Sequence, residues 1–299
     1  MESEVGCRRR RALALLALGT ALAAPSGGAT AETAFDAQAA VSHDSNLPRA
    51  LSRADILSDS ALNLAMSGSY YFAPGGRDVA TLAVDAHASQ FRQFHGMSNA
   101  ALGGTASWRR KLGLGAFVPW ARVSGSFAHE TYGESIRNGN RAGVTIEAGK
   151  RLSERLELAG GGGFDRYRAD RVVQVVPGLS GDAFSLKGRS LFGRADYALS
   201  ESWLGFARVG ARRGDVTAST RRDPEIFEYS SAVTPDPAFG PDYIAYRLTG
   251  TTWDFSAGVS FATTDRSSLN FTVTRALTYG AGGLDYQSTL FNAGFILGY

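Results

Sequence analysis

The last nine residues, Phe291-Asn-Ala-Gly-Phe295-Ile-Leu297-Gly-Tyr299, place an apolar side chain at every second position: Phe291, Ala293, Phe295, Leu297 and Tyr299. Alternate residues of a β-strand face opposite sides of the sheet, so this segment is a strand whose apolar face continues to a terminal aromatic. A soluble sheet buries such a face. A strand in a bilayer turns it to lipid and sets the aromatic at the headgroup level. The pattern therefore predicts the closing strand of a transmembrane β-barrel.

The same alternation recurs along the chain in segments of roughly ten residues, the length a tilted membrane strand requires. Phe35, Ala37, Ala39 and Val41 form the first outward set, and Leu62, Leu64, Met66, Gly68, Tyr70 and Phe72 the second. Others include Leu102, Ala106, Trp108 and Leu112; Val144, Ile146, Ala148 and Leu152; and Trp253, Phe255, Ala257, Val259 and Phe261. Twelve such strands are predicted in all, as an antiparallel up-and-down barrel. Short turns (Pro74-Gly75-Gly76, Ser153-Glu154-Arg155, Ser200-Glu201-Ser202) alternate with long polar links at about 44–58, 132–141, 170–184, 214–243 and 279–285, and a shorter one lies near Gly96. Short turns belong to the periplasmic side and long loops to the outside, which predicts an even strand number and both termini in the periplasm.

Ahead of the barrel, Arg8–Arg11 precede an apolar run from Ala12 to Ala24 and then Ala29-Thr30-Ala31. A basic segment, a short apolar core and an A-x-A site predict a cleaved secretory leader over residues 1–31, with a single barrel domain over 32–299. Cys7, the chain's one cysteine, falls in that leader, which leaves a mature chain without disulfides, thiolate metal sites or a cysteine nucleophile. Removing the leader's four Arg and two Glu leaves 27 basic and 26 acidic side chains of the original 31 and 28, so no nucleic-acid partner is expected. The four histidines, His43, His87, His95 and His129, lack metal-ligand spacing, and no cofactor is expected. Asp55 and Asp59 read as a solvated acidic loop in preference to an ion site.

The faces opposite the apolar ones carry both signs of charge: Asp85, His87, Arg109, Arg122, Glu147, Arg194, Asp196, Arg208, Arg212 and Asp254, with Asp36, Lys111, Glu130, Arg151 and Asp165. These are the candidate lumen residues. A barrel of eight strands is filled by side chains and one of sixteen holds a channel, so twelve strands admit either a narrow pore or a plugged one. The stretch Arg208, Arg212, Arg213 would favour anions in a pore. The link at 214–243 is long for a connector and carries Phe227, Tyr229, Phe239 and Tyr243 among several prolines, so it reads as a functional loop, either folded into the lumen or projecting.

Three resemblances follow. Phe291, Phe295, Leu297 and Tyr299 resemble the C-terminal signature that bacterial outer-membrane proteins present to the barrel-assembly machinery. This implies an outer-membrane address in a Gram-negative cell, with membrane lipids and lipopolysaccharide as neighbours. The quartet His43-Asp44-Ser45-Asn46 resembles the active-site segment of outer-membrane phospholipase A, which implies a calcium-dependent lipid hydrolase with His43 as base and Ser45 as nucleophile. This chain has Leu47 where that family has Gly, and Leu57 where its orienting Asn stands. Asp44-Ser45-Asn46 with Arg49-Ala50 resembles the opening hairpin of non-enzymatic barrels, including surface lipoprotein assembly modifiers, which implies that Asp44 and Asn46 cap a turn. The sequence favours a small pore or a structural or surface-interaction barrel, with the hydrolase as the alternative.

Overall fold

A computed structural model of the chain describes residues 30–221 and 224–298. Its strands are β1 (Thr30–Asp44), β2 (Asp59–Gly75), β3 (Asp78–Phe91), β4 (Asn99–Lys111), β5 (Trp120–Tyr132), β6 (Gly139–Arg151), β7 (Leu156–Ala169), β8 (Leu186–Ala198), β9 (Trp203–Arg221), β10 (Ala232–Pro235), β11 (Tyr243–Thr264), β12 (Ser267–Gly280) and β13 (Tyr286–Gly298). Neighbours pair antiparallel in chain order, β11 pairs with β9, and β13 returns to β1. Leaving out the short β10, which lies on the edge of β11, the ring is a closed barrel of twelve strands.

The closing seam uses the terminal dyad, with Phe295 opposite Ala39 and Leu297 opposite Ala37. Tyr299 lies outside the described residues, as does the predicted leader up to Ala29. Thr30 and Ala31 pair with Ala73 and Phe72 at the start of β1.

The outer wall follows the predicted parity. Leu64, Met66, Leu82, Val84, Leu102, Phe127, Ile146, Phe164, Leu191, Phe255 and Phe291 all stand exposed, Leu191 at 71 %. A water-soluble protein does not expose a continuous apolar belt of this kind, and a bilayer removes its cost. Tyr70, Phe72, Trp108, Tyr197, Trp203 and Phe261 gather at the short-turn end, where the Trp203 and Phe261 rings lie 4.8 Å apart. They form an interfacial girdle on that side.

Met66 sits midway along β2 on this outer face. Met66→Arg is expected to destabilise the folded protein in lipid vesicles by about 2–4 kcal/mol, whereas Phe72→Arg at the girdle costs about 0–1 kcal/mol. Urea unfolding of both variants in the same vesicles measures the difference.

The long-connection end departs from the prediction. The link placed at 214–243 is shorter, because β9 runs to Arg221 and β11 begins at Tyr243, with the two paired from Trp203–Phe261 up to Arg221–Tyr243. Past the level where β8 and β12 leave off, this hairpin is flanked only by β10, and apolar residues on the parity of Arg212 and Asp254 serve a second core. Val216, Ala218, Tyr246 and Leu248 are buried there with Ile226, Val233 and Ile244.

Candidate functional site: a charged lumen under a folded mouth

The predicted lumen residues share the parity opposite the apolar belt, and the register brings most of them into ion pairs. Glu147 on β6 accepts from Arg122 on β5 at 2.5 Å and from Arg194 on β8 at 3.0 Å. Arg194 also reaches Asp196 at 3.0 Å. Arg208 on β9 pairs with Asp254 on β11 at 3.1 Å, and Arg212 grips Asp165 on β7 with two nitrogens, at 3.0 and 2.7 Å. Asp85 accepts from the Ser67 and Thr105 hydroxyls at 2.7 and 3.2 Å. His87 and Arg141 line one small cavity with Asp85.

Inward glycines give these long side chains their room. A Cβ on Gly188 would lie 2.4 Å from the Arg212 guanidinium carbon, and one on Gly210 would lie 2.4 Å from an Asp254 oxygen. Gly161 leaves space for the Phe192 ring, on which Arg208 stacks at 5.1 Å.

The charges are confined to one part of the wall. Between residues 61 and 73 of β2, and along β12 and β13, the inward side chains are neutral, with Asn63, Ser67, Ser69, Asn270, Thr272, Thr274 and Asn292 among them. Several buried inward polar atoms have no hydrogen-bond partner among the described residues: an oxygen of Asp36, Nε of Arg109, Nε1 of Trp120, an oxygen of Glu157 and the amide oxygen of Asn270. Groups of this kind need water, so the lumen is wet.

Sequence reasoning missed Arg141, which pairs with Glu130 at 2.6 Å, and Glu157. Both lie on the inward parity that located the others. Two expectations are corrected. Arg208 and Arg212 are neutralised by carboxylates, and Arg213 faces outward because it shares the parity of Val209. The arginine stretch is therefore not a cationic patch of the lumen.

Over the long-connection end, the loops fold together. Gly96 belongs to the hairpin between β3 and β4, which is diametrically opposite β9–β11 in ring order. A Cβ on Gly96 would nonetheless lie 2.7 Å from Cα of Ala238, and the rings of Phe94 and Phe239 are 5.5 Å apart. The β9–β11 connection therefore crosses the mouth from wall to wall.

Other loops hold it there. Arg137, from the β5–β6 link, grips fully buried Asp236 with Nε at 3.1 Å and Nη2 at 2.5 Å, and its guanidinium lies 4.5 Å from the Phe184 ring. Ser219 donates its hydroxyl to the same carboxylate. Val233 donates its amide to Ser180 O at 2.8 Å, and Ser219 donates its amide to Pro48 O at 2.8 Å. The cap has the packing of a small core and lies across the lumen axis.

Asp55 and Asp59 belong to this packing and are not solvated. Asp55 is buried against Arg221 at 2.9 Å and Thr220. Asp59 accepts the amides of Ser60, Gln93 and Phe94. Arg221, bonded to Tyr243 and beside Asp55, is held above the ordinary guanidinium range. Among the described residues no cluster of three or more His, Asp or Glu side chains is placed to hold a metal.

The first-loop motif resolves into a turn. Asp44 accepts the Asn46 amide at 2.9 Å and pairs with Arg49 at 2.7 Å, while the Asn46 side chain exchanges bonds with both backbone groups of Ala50. His43 faces outward, but its Nδ1 meets Ser60 Oγ at 3.0 Å across the strand pair. Ser45 Oγ accepts the Thr289 amide at 2.8 Å. His43 and Ser45 are thus not brought together.

No family model matches the chain, and no curated protein does. Among solved structures it is similar to an outer-membrane channel from Pseudomonas putida F1, at 13% identity and a TM-score of 0.56, covering 92% of this chain and 97% of that one. The two share the closed antiparallel β-barrel fold. Lower similarities include the NanC porin, at 8% identity and a TM-score of 0.47 over 88% of this chain and 98% of that one. The translocator domain of the autotransporter NalP from Neisseria meningitidis follows at 12% and 0.43, over 98% and 95%.

Proposed function

We propose that the protein is a small, normally closed channel of the bacterial outer membrane, with its short turns and both termini in the periplasm and its folded mouth outside. The observation that carries this reading is the β9–β11 connection crossing the mouth above a wet, polar lumen. A barrel whose only task is structural needs neither. An open porin would not place a buried Arg137–Asp236 pair across its axis.

With the cap displaced, the conduit runs between the ion-pair ladder on β5–β9 and β11 and the hydroxyl and amide face of β2, β12 and β13. That lining suits small hydrophilic solutes, whose polar groups exchange water for Ser, Thr and Asn on one side and for guanidinium and carboxylate groups on the other. Phe291, Phe295 and Leu297 on the closing strand serve recognition by the barrel-assembly machinery, and the outer wall meets membrane lipid, including lipopolysaccharide. Planar-bilayer recording of the intact and cap-shortened proteins tests the reading.

A further inference from the structure

We infer that the outer wall over β7, β8 and β9 carries a binding site for the phosphorylated head group of an outer-leaflet glycolipid. The inference rests on the outer-membrane placement proposed above. Arg166 and Arg168 on β7, Lys187 and Arg189 on β8, and Arg213 on β9 share the outward parity of Phe164, Leu191 and Val209. All five side chains are exposed, and none makes an ion pair or side-chain hydrogen bond among the described residues.

The register makes them one patch. Arg166 stands opposite Lys187, and Arg189 stands between Phe164 and Arg213. Directly opposed residues of an antiparallel pair have Cβ atoms about 4.5–5.5 Å apart. Like charges that close repel, so the arrangement is costly unless an anion joins them. Two carboxylates lie near. Asp215, opposite Thr249, accepts the Lys187 amide at 3.1 Å, and Asp170 accepts from the Asn140 side chain at 3.2 Å. They leave the patch with an excess of three positive charges.

The position of the patch selects the ligand. It stands at the long-connection end of the strands, immediately above the lipid-facing belt, where Phe164 is 50 % and Leu191 71 % exposed. The aromatic girdle is at the opposite end. The elsewhere outward Arg275 is already satisfied by Thr289 and Gln287. Beneath the cations the wall is apolar, with Gly160 opposite Gly193 and the Leu191 side chain lying over Gly162. An acyl chain can lie against this wall beside Phe164 and Leu191 while its head group reaches the arginines. Guanidinium groups take phosphate through two parallel bonds, and a free anion would make no use of the apolar belt below them. The commitment is therefore to a lipid.

The test uses the full chain, refolded in detergent and offered an equimolar mixture of diphosphorylated lipid A and its dephosphorylated form, with retained lipid counted by native mass spectrometry. Wild type is expected to retain the diphosphorylated form selectively. Arg166→Gln/Arg189→Gln/Arg213→Gln should lose on the order of 100-fold of that retention, from about fivefold per cation, and keep the dephosphorylated form unchanged. Arg110→Gln/Lys150→Gln/Arg155→Gln, at the other end of the wall, should match wild type. If the triple variant does not refold, Arg189→Gln alone should lose about fivefold.

Equal retention of both lipids by wild type would overturn the inference, as would undiminished retention by the folded triple variant. Displacement of the lipid by inorganic phosphate alone would overturn it too, by making the site one for free anions. Failure of wild type to insert into bilayers of any composition is a separate result, and removes the outer-membrane reading itself.

Discussion

Asp236→Ala is expected to release the cap while leaving the barrel folded. Asp236 is fully buried, and it holds Arg137 by a two-nitrogen grip while accepting the Ser219 hydroxyl. Its removal leaves the guanidinium of Arg137, whose side chain is 13% exposed, between the Phe184 and Phe239 rings with no carboxylate. Stranding a buried charge in this way costs about 3–5 kcal/mol. The cost falls on the cap alone, because the barrel's own ladder contains neither residue's side chain. A protease added to the refolded variant should therefore cut within residues 222–242 while the barrel core stays intact, whereas wild type should resist at the same dose. Arg137→Ala should cost as much, since it leaves the carboxylate unpaired. Full protection in both variants would show that the cap does not depend on this pair.

The second large effect is expected at Glu147. Its side chain is 4% exposed and joins two arginines from different strands, Arg122 and Arg194. Glu147→Ala takes the shared carboxylate from both, leaving Arg194 with Asp196 alone, beside Arg109, whose guanidinium already rests 4.6 Å from the Trp120 ring. The arginines are 28% and 21% exposed to a wet lumen, so screening reduces the full penalty for a buried pair to about 1–3 kcal/mol of stability. The change in permeation is larger, because the wall of the conduit then carries one negative charge fewer. In the cap-shortened channel the reversal potential across a salt gradient should move toward that of the anion. Arg212→Ala, which strands Asp165, should move it toward the cation. Shifts of the same sign in both variants would contradict the assignment of these groups to the permeation path.

The barrel was legible because lipid makes the same demand on every strand. An outward side chain must be apolar whatever its neighbours, so period two alone separates Leu64 or Phe255 from Asp85 or Glu147. Parity also located the lumen charges, although a compositional reading placed Arg213 with Arg208 and Arg212 against its own parity. The cap was not legible. Val216, Ala218, Tyr246 and Leu248 continue the strand alternation, but they bury against Ile226 and Val233 of their own connection and Leu179 and Leu284 of neighbouring links, and no period records that. Asp55 and Asp59 looked solvated for the same reason, since their partners are Arg221 and the amides of Gln93 and Phe94. Register lies equally beyond the sequence pattern. Ser60 meets His43 because the first loop sets Asp59 opposite Asp44, and that pairing separates the imidazole from Ser45.

The central claim is a conduit closed by its own folded mouth, and single-channel conductance tests it most directly. The intact protein is compared with a variant in which residues 222–242 are replaced by a tight Asn-Gly turn joining Arg221 to Tyr243, which are already paired. The intact protein should be silent or open only in rare brief steps, and the shortened protein should show frequent discrete steps of uniform size. Silence in both would mean that the ion-pair ladder itself fills the barrel. Equal, steady conductance in both would mean that the connection closes nothing.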